Sequence, residues 1–137
     1  MTVDEIVAAA RECLGTPFHH QGRVLGYGLD CAGVAAHVAR AVGCEVVEVS
    51  GYGRTPAHGQ IEQALEAQPY LMRIAESPRP GDLLLMRFIS DPQHLAIYTD
   101  DDTIVHAYEA VGRCVEHRLD SRWRARLVDV YRFRDLA

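Results

Sequence analysis

The run HLAIYTDDDTIVHAY, residues 94–108, constrains the fold of this chain more than any other stretch. Two alternating segments flank three aspartates, Asp100 to Asp102, and read as an antiparallel hairpin closed by a three-residue loop. Centring the pairing on Asp101 sets residue 94 opposite 108, 96 opposite 106 and 98 opposite 104. Side chains alternate faces along a strand, so His94, Ala96, Tyr98, Ile104, His106 and Tyr108 share one face. Leu95, Ile97, Val105 and Ala107 point the other way, into apolar packing. His94 and His106 become diagonal neighbours, with α-carbons about 7 Å apart. Two histidines therefore face one site.

Further strands surround the hairpin. Residues 83–88, 94–99, 103–108, 113–118 and 127–133 read as strands separated by turn residues, all after the break SPRPGD. Helices come first. Thr2 starts a helix with Asp4 and Glu5 in its first turn, and Val3, Ile6, Val7, Ala10 and Leu14 form one stripe up to Gly15. A glycine-rich loop with His19 and His20 follows, then a second helix from about Cys31 to Val42, stopped by Gly43. Residues 44–49 suggest a short strand, GYGRTPAHG a loop, and Ile61–Ala67 a third helix. Helices first and an antiparallel sheet afterwards make an α+β domain, and residues 1–137 read as one such domain.

Composition narrows the function. Apolar residues at 48% and charged residues at 24% are ordinary for a soluble domain, and no apolar run is long enough to span a membrane. The N-terminus carries early acids and no basic-then-apolar region, so it reads as no signal peptide, with synthesis in the cytoplasm. Net charge is −5, yet residues 113–137 hold 7 arginines against 4 acids. Those arginines interleave with Leu127, Val128, Val130, Tyr131 and Phe133, as on a solvated strand face, so nucleic acid is not the expected partner. Cys13, Cys31, Cys44 and Cys114 show no C-x-x-C pair and read as free thiols. Cys13, Cys44 and Cys114 sit among apolar neighbours or at element ends, as packing residues do.

Cys31 differs. It follows Asp30, a natural N-cap, and falls in the first helical turn, where the helix dipole and free N–H groups favour a thiolate. An imidazole beside it would complete a nucleophile, and a second polar group would orient that imidazole. Cys31, His94 and His106 also make a possible zinc set, although no H-x-x-x-H or C-x-x-C pair accompanies them. The third reading is packing without chemistry.

The segments GTPFHHQGRVLGYGLDCAGV, PGDLLLM and HLAIYTDDDTIVHA occur in the order and character of the NlpC family of bacterial cell-wall cysteine peptidases. The resemblance runs from Gly15 to Phe133 and is closest to single-domain members of phage and prophage tails, which share the HQ loop and a W…R…YRF ending. D-C-x-G, H-x-x-I-Y and I-x-H-A at compatible spacings are its most specific part. It implies a papain-like fold, Cys31 as nucleophile, His94 as general base and His106 as the residue that orients His94. It also implies hydrolysis of peptidoglycan stem peptides between D-glutamate and the following diamino acid, without a cofactor. Asp30 matches a residue that in some relatives holds the free amine of the substrate's first alanine. A wall peptidase without an export signal would reach the wall within a phage tail, in company with other tail proteins. Two rivals use the same fold: a structural tail protein of little activity, and an amidase or acyltransferase built on the same three residues.

Two positions depart from the family pattern. Phe18 stands where a tyrosine hydroxyl usually approaches the nucleophile, and Ala32 replaces the usual serine. Both remove polar groups from the substrate site, and His19, His20 or Gln21 are candidates to replace them, Gln21 as an oxyanion donor. Tyr98 and Tyr108 read as packing residues. Tyr52 and Arg54 are candidates to meet stem-peptide carboxylates. His37, His58 and His117 read as surface residues. Asp100 to Asp102 lack the spaced ligands of a calcium loop and read as a turn.

Overall fold

The computed structural model describes residues 1–53, 59–88 and 91–137. Helix α1, Val3–Glu12, begins with a reciprocal cap: the Glu5 N–H donates to Thr2 Oγ1 at 3.2 Å, and the Thr2 N–H donates to Glu5 Oε2 at 3.3 Å. A two-residue hairpin, β1 (Arg23–Val24) with β2 (Gly28–Leu29), folds the glycine-rich loop, and α2 (Cys31–Ala41) follows at once. Then come α3 (Gln60–Glu66), β3 (Leu71–Ile74), β4 (Leu83–Arg87), β5 (Pro92–Tyr98), β6 (Thr103–Tyr108), β7 (Arg113–Arg118), α4 (Ser121–Arg124) and β8 (Leu127–Phe133).

Strands β3 to β8 form one antiparallel sheet in the order β3-β8-β4-β5-β6-β7. Its central strand, β4, is buried on both faces, which is why LLLM reads as a continuous apolar run. On one face Leu83, Leu85, Leu95, Ile97, Val105 and Ala107 pack against Ile6, Ala10, Val34 and Val38 of α1 and α2. On the other, Leu84, Met86, Ala96, Ile104 and Val130 pack around Trp123 of α4 and Leu119. The architecture is the expected α+β, papain-like arrangement of helices on an antiparallel sheet.

The β5–β6 hairpin has the expected register, with Ile97 opposite Val105 and Tyr98 opposite Ile104. Asp102 takes the left-handed conformation that closes its loop, φ 57°. The three aspartates meet arginines from outside the turn: Arg11 donates to Asp101 at 2.7 Å and lies 3.8 Å from Asp100, and Arg124 donates to Asp102 at 2.7 Å. Two of the tail arginines are tied into the fold as well. Arg132 forms two 2.9 Å bonds to the buried Asp82 carboxylate, and Arg134 donates to the Leu71 carbonyl.

Residues 44–49 do not form the expected strand. Among the described residues no strand pairs with them; instead the Gln68 amide satisfies both backbone groups of Val47, accepting its N–H at 2.9 Å and donating to its carbonyl at 2.7 Å. Strand β3, hairpin β1–β2 and the single turn of α4, capped by Asp120, are additions to the sequence reading. The third helix is shifted by one residue at each end.

Candidate active site

Cys31 is the first residue of α2, and Asp30 caps that helix by accepting the Gly33 N–H at 2.8 Å. The helix lies across β5 and β6, with the Leu95 N–H directed at the Cys31 sulfur. Cys31 and His94 line the same cavity, of about 470 Å³. Phe18, His20 and Tyr52 border it on one side and Phe88 and Tyr108 on another; Ile61 and Leu65 of α3 add apolar lining. That volume is typical of pockets for small molecules or short peptides.

The two histidines meet as the hairpin register requires. Backbone pairing covers just two positions next to the turn, and beyond them the rings bridge the strands, with His94 Nε2 and His106 Nδ1 at 2.6 Å. His94 is 5% exposed and His106 0%. Phe88, Tyr108 and Trp123 box them in: Phe88 lies 5.1 Å from His94, and Trp123 lies 5.1 Å from His106, centroid to centroid. Arg126 closes this box with its guanidinium 4.3 Å above the Trp123 ring.

Burial sets the charge state of the site. Desolvation, then the Asp30 carboxylate, push the Cys31 thiol up to about 12, against the Leu95 and Ala32 N–H groups and Arg23, which favour the thiolate. Desolvation, helped by Arg126 and His117, lowers His94 to about 3, and burial with His94 and His117 lowers His106 to about 2. The expected lowering of the thiol by the helix terminus is therefore outweighed. Burial thus favours a neutral thiol at Cys31 and a neutral imidazole at His94 in the resting site.

The expected substrate-binding residues divide. Phe18 lines the cavity and brings no hydroxyl. Gln21 does not line it. Its backbone is left-handed, φ 58°, and its amide donates to the Tyr52 carbonyl at 2.9 Å while accepting from the Gly51 N–H at 3.3 Å. Gln21 holds the 51–52 segment and is not placed as an oxyanion donor. Asp30 borders the cavity, but both its oxygens are committed. Oδ1 accepts from Gly33 and from Arg23 at 2.9 Å; Oδ2 accepts from the Gln21 N–H at 2.9 Å and the Tyr52 hydroxyl at 2.5 Å. Four donors fill its acceptor capacity, leaving no lone pair for a substrate amine. Tyr52 thus places a hydroxyl beside Asp30 where Phe18 offers none.

Tyr98 donates to Asp102 at 2.6 Å at the turn end of the hairpin, whereas Tyr108 stacks on His106 and lines the cavity. His37 meets Glu12 at 3.2 Å. Arg54 and His58 lie outside the described residues. All four cysteines are free. No three His, Cys, Asp or Glu side chains among the described residues are grouped to share a metal ion. No described helix is long and apolar enough to cross a membrane.

His117, expected at the surface, belongs to the site. It is half-buried, and its Nε2 stands 2.7 Å from His106 Nε2. Extending the strand pairing past the 109–112 turn would have found it, because His106 pairs with Val115 and residue 117 is its diagonal neighbour on the same face.

A helix-borne cysteine set against an antiparallel sheet that carries paired histidines defines a papain-like α+β protein. The chain belongs to the NlpC/P60 family, which it matches over residues 15–132. Solved structures share the fold. The NlpC/P60 domain of the peptidoglycan hydrolase SagA is 21% identical, with a TM-score of 0.66 over 95% of this chain and 97% of that one. An NlpC/P60 family protein from Bacillus cereus is 18% identical with a TM-score of 0.70; 95% of this chain is covered, but 39% of that one, so this chain spans about two fifths of its length. RipD of Mycobacterium tuberculosis, a non-catalytic NlpC/p60 domain protein adapted to peptidoglycan binding, is 16% identical with a TM-score of 0.63 over 98% of this chain and 97% of that one. No curated protein matches the chain.

Proposed function

We propose that this domain is a cysteine endopeptidase that hydrolyses an amide bond in peptidoglycan stem peptides, between D-glutamate and the diamino acid. The observation that carries the reading is the convergence of Cys31 and His94 on one cavity, with His94 tied to His106 at 2.6 Å. Family membership and the peptidoglycan hydrolase SagA among the structural neighbours support the substrate class. Because the resting pair is neutral, the Cys31 proton passes to His94 as sulfur attacks the carbonyl. The N–H groups of Cys31 and Ala32, at the open first turn of α2, stabilise the oxyanion. Protonated His94 then gives its proton to the departing amine as the C–N bond breaks. Water, deprotonated by His94, attacks the thioester and releases Cys31 as the thiol. His106 keeps the His94 ring in place throughout. Delivery to the wall within a phage tail completes the proposal, supported by the HQ loop and the Trp123 to Phe133 ending.

The test is digestion of purified peptidoglycan and of synthetic stem peptides, with products identified by mass spectrometry. New D-glutamyl carboxyl and diamino acid amine termini are expected with the native protein and not with Cys31→Ala. Cleavage elsewhere would reassign the bond; binding without cleavage would favour a non-catalytic role such as that of RipD.

A further inference from the structure

We infer that His117 is a positioning residue: with the Arg118 carbonyl it fixes the proton order along three histidines, so that His94 presents its Nδ1 lone pair towards the cavity. This rests on Cys31 and His94 being the reacting pair. His117 Nδ1 lies 3.0 Å from the Arg118 carbonyl oxygen. A carbonyl only accepts, so Nδ1 of His117 carries a proton. With that proton the ring's only one, His117 Nε2 is an acceptor, and the 2.7 Å bond to it is donated by His106 Nε2–H. His106 Nδ1 is in turn the acceptor, and the 2.6 Å bond is donated by His94 Nε2–H. His94 Nδ1 is left with its lone pair, the one nitrogen of the three rings that no group among the described residues engages. The opposite order would set a bare His117 Nδ1 against a carbonyl, two acceptors facing one another, and would forfeit that bond. A backbone carbonyl at one end thus decides which nitrogen of His94 is the base at the other.

The chain also predicts how to break it. A side chain at position 117 that only donates forces His106 Nε2 to accept, His106 Nδ1–H to donate to His94 Nε2, and His94 Nδ1 to carry the proton. His117→Arg does this. His117→Gln offers a carbonyl oxygen in its place and keeps the native order.

The experiment is nitrogen-15 correlation spectroscopy of the imidazole rings in the full chain at neutral pH, alongside the rate of iodoacetamide alkylation at Cys31. The native protein is expected to show Nε2–H tautomers for His94 and His106 and an Nδ1–H tautomer for His117. His117→Arg is expected to convert both buried rings to Nδ1–H and to slow Cys31 alkylation by about 100-fold, the scale of a lost general base. His117→Gln is expected to keep the native tautomers and rate. An Nδ1–H tautomer for His94 in the native protein overturns the inference, as does an unchanged pair of rings in a folded His117→Arg variant. Should the Arg variant fail to fold, the native spectrum decides alone. Native tautomers as stated, with no hydrolysis of stem peptides, would uphold the inference and remove the proposed function instead.

Discussion

Asp30 gathers four donors on two oxygens, from the α2 backbone, the preceding loop, Arg23 and Tyr52. Its side chain is 6% exposed and that of Arg23 is 20%, so the ion pair is largely out of water. Removing one partner of such a pair strands the other charge. Asp30→Ala is expected to cost about 3 kcal/mol, a melting-temperature drop of roughly 10 °C. Tyr52→Phe removes one hydroxyl and should cost about 1 kcal/mol. Scanning calorimetry of the two variants checks the ranking; equal small losses would show that Asp30 is not the clamp. The helix cap was legible in the sequence, because aspartate directly before a run of small apolar residues is a local signal. The clamp was not. Tyr52 lies 22 residues from Asp30, and only the folded loop brings them together. The same holds at Gln21: a glutamine near a thiol suggests oxyanion chemistry, but a left-handed backbone turns its amide to the 51–52 segment.

Elements meet at glycines. Gly33 sits in the first turn of α2, and a Cβ there would lie 2.2 Å from the Gly22 carbonyl oxygen. A Cβ on Gly22 would in turn stand 2.5 Å from the Gly28 carbonyl. The glycine of D-C-x-G therefore lets the 16–29 loop lie directly on the helix that carries Cys31. Alanine in a helix ordinarily gains about 1 kcal/mol over glycine. Here the clash is with backbone, which yields less easily than a side chain, and Gly33→Ala is expected to destabilise by about 2 kcal/mol net. Urea unfolding reads this directly, and a gain in stability would show that the loop moves aside freely. At this scale the hairpin was the most legible part of the chain, since an alternating pattern around three aspartates admits one register with the apolar residues together. The β6–β7 pairing obeyed the same rule and would have revealed His117. Residues 44–49 misled because their valines alternate as a strand does, while the fold gives their backbone a glutamine side chain in place of a neighbouring strand.

The whole molecule encloses two imidazoles that its sheet and aromatic box keep neutral, and that links the site to global stability. His94 and His106 are lowered in the folded protein to about 3 and about 2, and return to about 6.5 in the unfolded chain. A depressed group stabilises the fold fully above its unfolded value, and that contribution is lost as pH falls below it. The unfolded state then binds two protons that the folded state refuses. Each contributes about 1.4 kcal/mol per pH unit once the pH is well below 6.5, so stability should fall by about 3 kcal/mol in all between pH 7.5 and 5.5. Glu48 and Glu116, which arginines hold below the ordinary carboxylate value, add their own losses only at lower pH. The window between 6.5 and 4.5 thus belongs to the buried histidines. Urea titrations at half-unit pH steps should show this slope in the native protein and about half of it in His106→Gln, which still buries His94. A flat profile would mean that the folded site takes up protons near neutrality, and that the aromatic box does not exclude water from the pair.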